Sequence, residues 1–232
     1  MLGRISSFLL FLLFGLSYPA IAQKKEKLFL KQAINLYRLQ YRAIKNYRVL
    51  QKVNLKTTDD YGIVTQEQRE QVTYYVAPKT FIHQIYRKTI NNIPQYIDRN
   101  HYTKSIAQSE NWLLQETRKY QFRLVDTTNE LNCYQITAIQ INSQSQEGQV
   151  CFHRETYRLH SLTQRPARLP KSIQEYKLHI SYRDDTSYTV PATTILRSKY
   201  RSGKLNYQLR IEIEHKSYKF NQANIPNLKQ KS

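Results

Sequence analysis

The sequence predicts an α+β fold: a large curled antiparallel sheet, an incomplete β-barrel, with a long N-terminal helix and a second helical segment covering its concave face. Three observations carry this expectation. Apolar residues recur at helical spacing over 24–45, the period changes to two after Asn46, and short turn signals separate runs of alternation up to Ile213.

In the first element Leu30, Ile34, Tyr37, Tyr41 and Ile44 recur at intervals of four and three, while Lys, Arg and Gln fill the other faces. No Gly or Pro interrupts the run, so Lys24 to Lys45 reads as an amphipathic helix. After Asn46, the residues Tyr47, Val49, Gln51, Val53 and Leu55 fall on one face of a strand. Asp59-Asp60-Tyr61-Gly62 supplies turn chemistry, and Val64 to Val76 returns as a second strand. Phe81 to Arg87 resumes the pattern with Phe81, His83, Ile85 and Arg87 on one side, and Ile97 to Tyr102 reads as a further short strand.

Ser105 to Tyr120 reads as helical, carrying Ile106, Trp112, Leu113, Leu114 and Tyr120. Strands are expected over Phe122 to Val125, Cys133 to Ile141 and Val150 to Leu159. Glu147-Gly148 reads as a turn, and Pro166 and Pro170 make 165–171 a loop. The last third alternates most cleanly. Tyr176, Leu178, Ile180 and Tyr182 share a face, as do Tyr188, Val190, Ala192, Thr194, Leu196 and Tyr200, and then Leu205, Tyr207, Leu209, Ile211 and Ile213. Such alternation with short turns means antiparallel strands with one buried face. About nine to eleven strands are expected, and an antiparallel sheet that wide curls.

The N-terminus has the three parts of a secretory signal: Arg4, an apolar run from Phe8 to Leu16, and the small-x-small site Ala20-Ile21-Ala22. The expected organisation is therefore a cleaved signal peptide over 1–22 and one domain over 23–232, of a length one domain fills. The run is short for a bilayer span, which wants about 20 apolar residues. With no Cys after it, the chain lacks a lipoprotein acceptor.

The formal net charge is +19, from 36 Lys and Arg against 17 Asp and Glu. For an exported chain that excess points to anionic membrane surfaces or acidic partners rather than to nucleic acid. Because the basic residues are spread evenly rather than gathered in one block, a generally solvated basic exterior is the plainer explanation. Cys133 and Cys151 are the only cysteines. In an oxidising compartment they can pair in a disulfide, or stand as two free thiols on neighbouring strands.

Catalytic chemistry is hard to find. The histidines at 83, 101, 153, 160, 179 and 215 form no metal-ligand spacing, and His153 and His160 on one strand would point to opposite faces, so no metal is expected. Asp59-Asp60 and Asp184-Asp185 are explained by turns. No nucleophile elbow, phosphate loop or cofactor motif occurs. The chain is therefore expected not to be an enzyme and to need no cofactor. Its 19 tyrosines suit a half-wet cavity or a membrane interface, and equally an ordinary strand-rich fold.

Several segments in this order resemble the periplasmic outer-membrane lipoprotein-sorting (LolA-like) group. They are Tyr41-Arg42-Ala43-Ile44-Lys45-Asn46-Tyr47, where a helix runs into the first strand, and Tyr74-Tyr75-Val76-Ala77-Pro78-Lys79-Thr80-Phe81. The central hairpin is carried by Cys133-Tyr134-Gln135-Ile136-Thr137-Ala138 and by the segment from Cys151 to Leu159. The closing hairpin runs from Tyr188-Thr189-Val190-Pro191 to Tyr218-Lys219-Phe220-Asn221. The resemblance covers nearly the whole chain beyond residue 22. It implies a half-barrel closed by helices and a periplasmic location, and it transfers no site residue.

Together these readings predict a monomeric exported carrier holding lipid or lipoprotein acyl chains in an apolar cavity. The expected lining is Leu178, Ile180, Val190, Leu196, Leu209, Ile211 and Ile213, which would equally form a filled core against the helices. The other reading is an interaction or sensor module that binds a protein or an anionic surface through its basic exterior, without a ligand cavity.

Overall fold

The computed structural model describes residues 25–77, 80–98, 102–106, 114, 116–142 and 144–221. Helix α1 occupies residues 25–43. Its apolar stripe is the expected one: Ala33, Ile34 and Tyr37 are buried, Leu30 packs beside them, and Ile44 is buried just beyond the last turn. The helix stops where the sequence changes period. The Asn221 side-chain oxygen accepts from the Lys45 amide, and the Asn221 amide donates to the Asn46 carbonyl, so the far end of the chain pins the helix–strand junction.

Twelve strands follow among the described residues. They are β1 (Asn46–Asp59), β2 (Val64–Val76), β3 (Thr80–Ile90), β4 (Ile93–Pro94), β5 (Tyr102–Ile106), β6 (Tyr120–Thr127), β7 (Leu131–Ala138), β8 (Gln146–His153), β9 (Leu159–Pro166), β10 (Ile173–Tyr182), β11 (Pro191–Ser202) and β12 (Leu205–Phe220). They form one antiparallel sheet in the order β4-β3-β2-β1-β12-β11-β10-β9-β8-β7-β6, with β5 also on β3. Along this order every neighbour is reached by a local hairpin except at the seam, where the long β12 returns beside β1; β5 returns to β3 past β4. Among the described residues β6 is not paired with β4 or β5, so the sheet is open.

The β1–β2 turn is built as its residues dictate. Asp59 accepts through Oδ1 from the amides of Tyr61 and Ile63, and Gly62 takes φ 77°. Asp60 reaches across to the β11–β12 hairpin, accepting from the Asn206 amide.

Two clusters form the core. The larger joins α1 to β6–β10 through Ile34, Tyr37, Tyr134, Ile136, Val150, Phe152, Leu159, Leu162 and Ile180, with Leu114 beside them. The smaller, at the end of α1, gathers Ile44, Tyr75 and Val190 with Tyr47, Phe81, Tyr188, Tyr218 and Phe220. A disulfide joins Cys133 and Cys151, directly opposed on β7 and β8 with Cα atoms 4.0 Å apart.

The structure corrects several expected boundaries. The strand placed over 97–102 instead begins at Tyr102. Of the helical segment expected over 105–120, residues 107–113 and 115 lie outside the described ones. Ser105 and Ile106 end β5, and Thr117–Lys119 make a single 3-10 turn. Gly148 is no turn. It lies inside β8, where a Cβ would come within 1.8 Å of the Thr163 carbonyl oxygen, so glycine there serves close backbone approach. The expected strand from Val150 to Leu159 is broken by a turn at 154–156, with Tyr157 at φ 58°.

Candidate functional site: the inner face of the sheet

The face on which α1 packs is defined residue by residue by the register. Leu178 faces Leu196, which faces Ile211, which faces Leu55: an aliphatic row running across β10, β11, β12 and β1. One step along, Ile180, Thr194, Ile213 and Val53 make a second row. Period-two alternation produces both, since each strand contributes every other side chain to the same side.

The seven expected lining residues fall into three settings. Ile180 is fully buried and Leu178 partly buried against the helix-side core. Val190 precedes β11 and is buried with Ile44 and Tyr75 at the end of α1, away from the rows. Leu196, Leu209, Ile211 and Ile213, together with Leu55, stay half-buried and belong to neither packed cluster among the described residues.

Polar groups border this strip. Along the strands, a hydrogen-bonded belt separates it from the aromatic cluster at the end of α1. Ser105 Oγ lies 2.8 Å from His83 Nε2, His83 Nδ1 lies 2.9 Å from Thr73 Oγ1, and Thr73 donates to Gln51 Oε1 at 2.6 Å. Gln51 Nε2 lies 3.1 Å from His215 Nδ1, and His215 Nε2 lies 3.1 Å from Thr194 Oγ1. One assignment satisfies each of these five links: His83 carries its proton on Nδ1, His215 carries its proton on Nε2, and each donor faces an acceptor. Gln71 adds a second donor to Gln51 Oε1 at 2.7 Å.

Burial keeps both imidazoles neutral. It pushes His215 down to about 4, and it lowers His83, where the nearby Arg69 adds a smaller push in the same direction. On the opposite border Tyr200 and Tyr207 stack with ring centroids 5.4 Å apart. Beside Leu178, in register with it on β9, Gln164 is buried and its Oε1 has no hydrogen-bond partner among the described residues. That atom is an acceptor left open next to the aliphatic row. Past Leu55 and Val53 the rows meet Glu67 and Arg69 of β2, paired with each other at 3.1 Å, with Lys88 on Glu67 at 3.1 Å. The site can therefore cover apolar chains, with neutral polar groups along the belt and an ion-paired cluster at its β2 margin.

The sequence carries a signal for the belt's members but not for the belt as a unit. Gln51 sits between Val49 and Val53, and His83 between Phe81 and Ile85, each a polar residue on an apolar parity. Assembling the belt needed the β12–β1 seam, which no local pattern specifies.

A second group of side chains corrects the expectation for His153 and His160. They are not on one strand. His153 ends β8, His160 lies in β9, and the intervening turn brings their rings to 4.9 Å in an edge-on arrangement.

No protein-family model matches the chain, and no curated protein matches it either. Among the described residues, no helix is long and apolar enough to cross a membrane. Solved structures do resemble it. A LolA superfamily protein from Nitrosomonas europaea matches with a TM-score of 0.44 and 10% identity, covering 86% of this chain and 94% of that one. An outer-membrane lipoprotein-sorting protein domain from Vibrio parahaemolyticus matches with a TM-score of 0.40 and 8% identity, covering 85% and 96%. MucB, solved in complex with MucA(peri), matches with a TM-score of 0.23 and 8% identity, covering 84% and 99%. The first two are of the kind whose segments the sequence resembles. At these scores the likeness carries no functional argument, which must come from the inner face itself.

Proposed function

We propose that the chain is exported, cleaved after Ala22, and works as a monomeric periplasmic carrier of lipid or lipoprotein acyl chains, a binding function rather than a catalytic one. The observation that carries this reading is the half-buried aliphatic row Leu178–Leu196–Ile211–Leu55, flanked by Leu209 and Ile213. A monomeric surface seldom leaves a contiguous apolar strip without a use. Each methylene transferred onto it contributes about 0.8 kcal/mol, so one acyl chain suffices for useful affinity.

Lengths support a sheet wrapped into a half-barrel. From β7 to β2 the order takes seven strand steps, about 34 Å at 4.8 Å each. Yet α1 reaches both strands, stacking Phe29 on Tyr134 and linking the hydroxyls of Tyr41 and Tyr75. The rise between Phe29 and Tyr41 is only about 18 Å. Aromatic side chains bridge the remaining distance at both ends, and a sheet bent around the helix would bring both strands within that reach and make the strip a trough.

The test is direct. The full chain is produced with its leader in a bacterial periplasm, purified without detergent, extracted with organic solvent and analysed by mass spectrometry. Acyl lipid near one per chain is expected, with loss of it in Ile211→Asp. A lipid-free extract, together with no uptake of a fluorescent fatty acid, would overturn the reading.

The net charge of +19 favours a second reading, an interaction module that docks on a protein or anionic surface through its exterior. Binding to anionic vesicles that disappears between low and moderate salt, with Ile211→Asp unaffected, would mark that function.

A further inference from the structure

The geometry points to a divalent transition-metal site made by His153, His160 and Asp184, on the edge of the β8–β9 turn and apart from the aliphatic strip. His153 Nε2 lies 3.1 Å from Asp184 Oδ1 and 3.2 Å from His160 Nδ1, and the three ligand atoms all fall within 4.8 Å of one another. Around an ion with bonds of about 2.0–2.1 Å, tetrahedral ligand atoms stand roughly 3.3–3.4 Å apart. Two of the three edges are therefore close to that spacing already, and Asp184, on an exposed loop, can close the third.

Hydrogen-bond arithmetic gives independent support. Asp184 Oδ1, as a carboxylate oxygen, only accepts. If His153 Nε2 carries a proton, that one proton must serve both Asp184 and the lone pair of His160 Nδ1. If it carries none, its lone pair faces a carboxylate oxygen. No tautomer gives both contacts a full hydrogen bond, in contrast to the chain of links from Ser105 through His83 and His215 to Thr194, where one tautomer assignment suits them all. A cation at the centre uses all three lone pairs at once.

The site also has its support. The His153–Arg158 turn is closed by two backbone bonds, His153 amide to Arg158 carbonyl at 2.8 Å and Tyr157 amide to His153 carbonyl at 2.9 Å. Tyr157 packs on Phe29 of α1 at 5.0 Å. Arg158 then holds the Asp184 loop, donating to the carbonyls of Asp184 at 2.8 Å and Thr186 at 2.7 Å. Arg158 is thus a positioning residue for the carboxylate. Two imidazoles and one carboxylate suit zinc or another late first-row ion, with a fourth position open to water.

The test uses the disulfide-intact chain, stripped of metal and titrated with zinc chloride by calorimetry at pH 7.5. One equivalent is expected with Kd below about 10 µM, weakened at least about 10-fold in His153→Gln and in His160→Gln. Because the turn could suffer from substitution, zinc-edge X-ray absorption on the wild-type chain provides a readout that needs no variant: two imidazoles and oxygen, with no sulfur. Weaker wild-type binding, unchanged binding in both His153→Gln and His160→Gln, or fewer than two imidazoles would each overturn the site.

Discussion

Gln51 and His215 meet across the β1–β12 seam, Gln51 Nε2 lying 3.1 Å from His215 Nδ1, directly opposed in register. On the inner face this contact adds a side-chain link to the β1–β12 ladder that joins strands β1–β5 to strands β6–β12. It works only while His215 is neutral, because a protonated imidazole offers no lone pair to the amide.

The pH dependence follows with a definite sign. His215 is held at about 4, below its ordinary value near 6.5. The unfolded chain therefore binds the proton more readily. The neutral belt's stabilisation is complete above about pH 6.5 and is lost as pH falls toward 4, at most about 3 kcal/mol for this residue. His83 and His179 are also lowered, mainly by burial, and shift in the same direction. Urea midpoints at pH 7, 5.5 and 4.5 should fall more steeply for wild type than for His215→Gln. Parallel profiles would refute the assignment.

Gly148 makes a sharper prediction. A methyl at that position would lie 1.8 Å from the Thr163 carbonyl oxygen, which belongs to backbone and cannot rotate away. Gly148→Ala must push β8 from β9 and should cost about 3 kcal/mol or more, in the range of overpacking with broken pairing. Gly62→Ala, with open space but φ 77°, should cost only about 1 kcal/mol. Equal costs in chemical denaturation would show that close approach is not what fixes glycine at 148.

The Cys133–Cys151 bond closes a loop with a sequence separation of 18 between neighbouring strands. On chain-entropy grounds it should contribute about 3 kcal/mol. Cys133→Ser with Cys151→Ser, or mild reduction of the wild type, should lower the urea midpoint accordingly without unpairing β7 from β8. Amide exchange along Leu131–Ala138 provides the check on pairing.

The elements with strict periodicity were legible from sequence, and those set by context were not. Leu30, Ile34 and Tyr37 announced the helix face, and β2 matches its expected bounds at Val64 and Val76, because amphipathic patterns encode burial directly. The break after His153 was hidden. No Gly or Pro marks it, and Tyr157 adopts a left-handed conformation that tertiary packing on Phe29 sustains. That hidden turn is also why the His153–His160 juxtaposition could not be read from spacing. Gly148 is the converse case: a glycine that locally signals a turn serves strand-to-strand approach inside β8. Conflict between a residue's local preference and its tertiary use is the common cause.

The aliphatic strip yields a test that separates a filled core from a ligand-holding trough. Leu162 is fully buried within the helix-side cluster, whereas Leu196 is half-buried outside both clusters. In a filled core both truncations leave a cavity, and each costs about 2–5 kcal/mol. Where the inner face is open over β11 and β12, Leu196→Ala removes little packing and should cost about 1 kcal/mol in the lipid-free chain, while Leu162→Ala keeps the full penalty. Adding an acyl ligand then stabilises wild type more than Leu196→Ala, since the ligand binds only the folded state and the truncated side chain contacts it less. Thermal unfolding with and without fatty acid measures both effects in one experiment. Similar penalties for the two substitutions, unchanged by ligand, would mean that the strip is ordinary core.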